Sequence, residues 1–117
     1  MYVFKYLRHL RLFERQHLMF VETLEDMDIV HVIGEHQAQG VPLTLKQIRA
    51  FGIGASATVE RRLARLKGLG VVVQSQSKLD KRTNELTLSP RTMRIFQRYA
   101  DMIASATPAH RAEQRHD

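Results

Sequence analysis

Residues 56–70 read SATVERRLARLKGLG. On a helical wheel at about 100° per residue, Val59, Leu63 and Leu66 fall in one narrow arc, the face such a helix would bury. Ala57, Arg61 and Ala64 lie opposite, with Thr58 and Arg65 beside them. Arg62 borders the apolar arc on one side, and Glu60 and Lys67 lie near the other. Ser56 has the chemistry of an N-cap, and Gly68 or Gly70 can supply a left-handed residue at the exit. The exposed face therefore combines small side chains, which let a partner approach closely, with arginines, whose planar forks suit guanine edges and phosphates. A merely solvated basic face is the plain alternative for this helix taken alone.

Its neighbours narrow the choice. Upstream, Thr44 is placed to cap a short helix, Leu45 to Phe51, and Gly52-Ile53-Gly54 makes a tight turn. A short helix, a glycine-containing turn and a second helix form a helix-turn-helix. Downstream, β-branched Val71-Val72-Val73 and the alternating Glu85-Leu86-Thr87-Leu88 predict two antiparallel strands. Between them runs a polar loop with a basic tip, KLDKRTN at 78–84. A recognition helix over 56–67 followed by a hairpin wing over 74–85 is the winged variant. It places the helix in the major groove of DNA and the hairpin on phosphates or the minor groove. The fold class is thus mainly α with a small β-hairpin.

Helices flank this unit. Residues 1–22 lack Gly and Pro and show a heptad seam: Val3, Leu10, His17 and Leu24 on one position, Tyr6, Phe13, Phe20 and Met27 on another. Phe4, Leu12 and Met19 lie off that seam, so the helix is apolar on two sides. A second helix begins near Thr23 or Glu25, buries Ile29, Val30, Val32 and Ile33, and stops at Gly40. Ser89-Pro90 starts a last helix over 89–106, with stripes Met93/Phe96/Ala100/Ile103 and Ile95/Tyr99/Met102. Two-sided end helices predict a homodimer held by Val3, Tyr6, Leu10, Phe13, Phe20, Ile95, Tyr99 and Met102. Residues 1–106 make one domain in this reading, and the polar segment 107–117 a disordered tail.

Composition agrees with a DNA partner. The chain has 117 residues and no cysteine, which removes disulfides and thiolate metal sites and makes a reducing, cytoplasmic setting the default. Net charge is +6, and the cations concentrate after residue 41, whereas 23–40 holds Glu25, Asp26, Asp28 and Glu35 with no Lys or Arg. The longest apolar run, Leu18 to Val21, is far short of a membrane span.

From Leu43 to Leu88 the sequence resembles the winged helix of the MarR family of bacterial transcription regulators. The resemblance rests on LTLKQI, on TVERRLARLKGLGVV, and on Asp80-Lys81-Arg82 followed by Leu86-Thr87-Leu88. It implies Ser56, Thr58, Arg61 and Arg65 at the major groove and Arg82 in the minor groove. It also implies Asp80 orienting the wing through a salt bridge, although plain turn chemistry explains Asp80 and Asn84 as well. Gln74, where the family often has a basic residue, and the single helix after Ser89-Pro90 depart from the pattern and suggest a short member or a relative. Lys46, Arg62, Lys78 and Lys81 complete the DNA-binding set as phosphate contacts.

The function expected is sequence-specific regulation of transcription on double-stranded DNA. The alternatives are a protein-interaction adaptor and a non-specific architectural or replication-associated DNA binder. No enzyme, cofactor or metal is expected: His31 and His36 do not share a helix face, His9 and His17 lie two turns apart, and no phosphate-binding glycine loop occurs. A small-molecule effector stays open, with no residue pointing to one, and no membrane partner is expected.

Overall fold

The structure, a computed structural model, describes residues 2–106; the tail expected over 107–117 lies outside the described residues. In chain order it contains α1 (Tyr2–His17), α2 (Leu24–Ala38), β1 (Leu43–Thr44), α3 (Leu45–Ile48) with a 3-10 turn at Arg49–Phe51, α4 (Ser56–Gly68), β2 (Val72–Gln76), β3 (Asn84–Leu88) and α5 (Pro90–Ala106). Two compact units result: a winged unit from Phe20 to Thr92, and a helical unit of residues 2–19 and 93–106. This is the mainly α, winged helix-turn-helix class read from the sequence, with three strands rather than two.

In the winged unit, β3 is the central strand of an antiparallel sheet ordered β1-β3-β2. Leu43 faces Leu86 across one ladder, and Val72 faces Leu88 across the other. The third strand, the two-residue β1, is too short to leave a periodicity in the sequence. α2 packs on both β3 and α4. Ile29, Val30 and Ile33 from α2, Val59, Leu63 and Leu66 from α4, and Leu43, Ile48, Val72, Leu86 and Leu88 are buried, while Val32 is only half-buried. Helix and sheet approach closely at Gly34, where a Cβ would lie 3.2 Å from Leu88 Cδ1. Beside it, the Leu88 N–H donates to Gln37 Oε1 at 2.7 Å.

Local chemistry sets the boundaries. Thr23 caps α2 and Thr44 caps α3, each in a reciprocal box with the residue three positions on, Asp26 and Gln47. Gly70, at φ +75°, turns the chain from α4 into β2. Ser89 Oγ accepts from the Thr92 N–H at 3.2 Å, and Thr92 Oγ1 donates to the Val71 carbonyl at 3.1 Å, fixing the start of α5. The expected helix over 1–22 is corrected: α1 ends at His17 because the Thr23 box starts a new helix. Phe20, Leu24 and Met27 therefore do not extend its seam.

In the helical unit α1 contributes no buried residue, and Tyr2, Val3, Phe4, Leu7 and Leu12 are exposed. Phe13 stacks on His17 with ring centroids 4.5 Å apart and meets the edge of Tyr99 at 5.1 Å. The Tyr99 hydroxyl donates to Glu14 Oε2 at 3.2 Å. Burial, reinforced by the Glu14 carboxylate, pushes the Tyr99 phenol up to about 12. Tyr6, Leu10, Ile95 and Met102 are half-buried. Among the described residues no helix is long and apolar enough to cross a membrane.

Leu66 is fully buried on the inner face of α4. Leu66→Ala should therefore lower unfolding free energy by about 2–5 kcal/mol, measured by urea denaturation.

Candidate nucleic-acid interface

α4 presents the exposed face that the wheel describes: Ala57, Arg61 and Ala64 are exposed, and Thr58 is half-buried. Its entry differs from expectation by one residue. Ala55 occupies the N-cap position, its carbonyl accepting the Val59 N–H at 3.0 Å, and no side chain caps the helix. Ser56 is the first helical residue and is exposed. A first turn without a side-chain cap leaves backbone N–H groups directed outward, where helix polarity favours an anion.

Arg62 and Arg65 are not open to solvent in the way a bare basic face would be. Arg62 Nε donates to Asp26 Oδ1 at 2.8 Å, and its terminal NH2 group donates to Asp26 Oδ2 at 2.5 Å and to Glu22 Oε1 at 2.9 Å. Arg65 Nε lies 3.0 Å from Glu22 Oε1, and its NH1 group donates to the Phe20 carbonyl at 2.7 Å. Both guanidinium groups are thus bound to the segment that opens α2. In the free chain both forks are occupied: Arg62 from the border of the apolar arc and Arg65 from nearer the exposed face both meet the carboxylates of Glu22 and Asp26.

Asp26 is the centre of this cluster. It is 0% exposed. Its Oδ2 also accepts the N–H groups of Glu22, at 2.9 Å, and Thr23, at 3.1 Å. Burial opposes its ionisation, but the Arg62 hydrogen bonds and these two N–H groups outweigh burial and hold it at about 2, below its usual 3.8. The same contacts raise the Arg62 guanidinium above its already high value. Sequence reading placed acidic residues in the first turn of α2 for the helix dipole alone; nothing local indicates partners more than thirty positions away. A half-exposed pair, Arg49 with Glu60 at 2.6 Å, also ties the 3-10 turn to α4.

The wing tip is built by short hydrogen bonds. Ser77 Oγ accepts from the N–H groups of Leu79, at 3.2 Å, and Asp80, at 3.4 Å. Asp80 Oδ1 accepts the Arg82 N–H at 3.0 Å, and its Oδ2 accepts the Thr83 hydroxyl at 3.2 Å. Asp80 thus performs turn chemistry, with a longer ion contact of 3.6 Å to the exposed Arg82 Nε. Lys78, Lys81 and Arg82 project from this tip and are exposed, as is Lys46 on α3. At the base of the wing, Lys67 Nζ donates to Gln74 Oε1 at 2.8 Å. Among the described residues no three metal-ligating side chains gather.

No protein-family model and no curated protein sequence matches the chain. Solved structures do share its fold. The S. aureus MepR–DNA complex superimposes with a TM-score of 0.65 at 17% identity, over 98% of this chain and 93% of that one. Overoxidized AbfR bound to DNA gives 0.56 at 21% identity, over 92% and 76%. MarR itself gives 0.51 at 19%, over 97% and 86%. The fold is the MarR-like winged helix, and two of these relatives in fold were solved bound to DNA.

Removing the central carboxylate leaves Arg62 in place without its buried partner. Asp26→Ala should destabilise the fold by about 3–5 kcal/mol, measured by urea denaturation. Because the folded pKa lies below the unfolded one, Asp26 contributes its full stability above about pH 4 and loses it as pH falls toward 2. Acid titration of Asp26→Asn should lack that part of the wild-type decline.

Proposed function

We propose that this chain, with its MarR-like fold, is a sequence-specific, DNA-binding transcription regulator that acts as a homodimer. The observation that carries the reading is the coincidence of an exposed Arg61 on α4 with a preformed basic wing, on a fold shared with a DNA-bound regulator. In this reading α4 enters the major groove. Ser56, Thr58 and Arg61 reach base edges or the nearest phosphates, and the uncapped first turn of α4 offers N–H groups to the backbone. Lys46, Lys78 and Lys81 hold phosphates, and Arg82 enters the minor groove. Arg62 holds the helix rather than the DNA.

The exposed side of α1 supports the dimer. Its sixteen residues bury none of their side chains, and its exposed aromatic and aliphatic residues are suited to a second copy. Two copies would present two α4 helices to half-sites about one DNA turn apart, giving a roughly palindromic site.

Selection from a random duplex pool should return such a palindrome, bound far more tightly than a scrambled duplex. Equal, strongly salt-dependent binding to both would make the protein a non-specific binder, and no binding at low salt would favour an adaptor. On the selected site Arg61→Ala should cost about 1–3 kcal/mol and relax sequence preference. Lys78→Ala should instead weaken binding to every duplex and reduce the salt slope by about 0.9. Sedimentation equilibrium should show a dimer that Val3→Glu, on the exposed part of α1, shifts toward monomer.

A further inference from the structure

Arg62 and Arg65 are held by carboxylates of different accessibility. Asp26 is 0% exposed and grips Arg62 through both oxygens. The Glu22 side chain is 55% exposed, and its Oε1 alone serves both arginines, at 2.9 Å to Arg62 and 3.0 Å to Arg65. Without Glu22, Arg62 keeps two short bonds to Asp26. Arg65 would keep the Phe20 carbonyl and a 3.5 Å approach to Asp26 Oδ2. The Arg65–Glu22 pair is the exchangeable member of the cluster.

Position gives that exchange a direction. Arg65 follows Arg61 by one helical turn, about 40° around α4, so it borders the face proposed to meet DNA. Its side chain is 27% exposed, enough for its outer edge to reach solvent. An exposed ion pair is worth about 0–1 kcal/mol, and a phosphate offers the same guanidinium a charge-assisted, bidentate contact.

We propose that Glu22 is an intramolecular stand-in for a DNA phosphate: it holds Arg65 in the free chain and yields it to the backbone of a duplex when α4 seats. The inference rests on the DNA-binding reading above. Arg65 then becomes a phosphate contact made at seating. Glu22 weakens association with any duplex, since its pair must break first and the freed carboxylate repels phosphate.

The test is fluorescence anisotropy with a labelled duplex of arbitrary sequence, titrated between about 50 and 200 mM salt. Glu22→Gln should bind about two- to fivefold more tightly than the wild type, with a steeper salt slope. Asp28→Asn, which removes an exposed charge from α2 away from the cluster, sets the effect of net charge alone. In an Arg65→Ala background the gain from Glu22→Gln should shrink to that of the control. Glu22→Asp keeps the charge and withdraws its reach, and it too should tighten binding; melting curves of each variant verify folding. A Glu22→Gln effect no larger than the control, or one that persists in full with Arg65→Ala, overturns the inference and leaves the DNA-binding reading standing. Failure of the wild type and every variant to bind overturns both.

Discussion

The winged unit depends on one buried carboxylate. Asp26 receives the N–H groups that open α2 and, on the same oxygens, the guanidinium of Arg62 from α4. An isolated buried charge is strongly unfavourable, and a buried ion pair is tolerated only when its remaining hydrogen-bonding capacity is filled. Here the contacts combine helix capping with a tie between helices. The start of α2 and the middle of α4 are consequently fixed to each other, while Leu63 and Leu66 fill the apolar side of α4. A helix proposed to read a groove must be rigid, and this tie supplies orientation that hydrophobic packing, being non-directional, cannot.

The tie also sorts the arginines of α4. Equivalent in composition, they are unequal in place: Arg62 borders the core and meets Asp26, Arg65 meets the more accessible Glu22, and Arg61 stands exposed. Counting cations on the helix would therefore overstate the charge that the free chain exposes there. The wing compensates in part, because Lys78, Lys81 and Arg82 carry charge on a turn already closed by Ser77 and Asp80. Order in that loop before binding lowers the entropy lost when it meets a partner.

Features written in neighbouring residues were legible in the sequence. The Val59/Leu63/Leu66 face, the Thr44 cap, the glycine exits, the alternating 85–88 strand and the Ser89-Pro90 start all depend on contacts within a few positions. The helix break after His17 had a local signal as well, since Thr23 and Asp26 stand at capping-box spacing. It was masked by an apolar seam running through both helices. β1 was too short to show a period, and Ser56 differs from the N-cap by one residue, the usual uncertainty of a helix end. The pairing of Arg62 and Arg65 with Asp26 and Glu22 was not legible, because tertiary ion pairs across such separations leave no spacing rule.

The helical unit raises a different constraint. A sixteen-residue helix with no buried side chain gains little from its own chain, and helices of that length are marginal in water without packing. The Phe13–Tyr99 contact and the Tyr99–Glu14 hydrogen bond tie α1 to α5, yet they leave Tyr2, Val3, Phe4, Leu7 and Leu12 exposed. Under the dimeric reading those residues are where assembly and stability become one quantity, since whatever covers them stabilises the helix in proportion to its concentration. Such coupling suits a DNA reader with few free base-reading side chains per copy. Under that reading one α4 with a single exposed arginine would discriminate weakly, whereas two copies would engage their half-sites at high effective concentration. Discrimination would then grow as the sum of two small free energies, which under that reading puts selectivity in the pair of α4 helices rather than in either one.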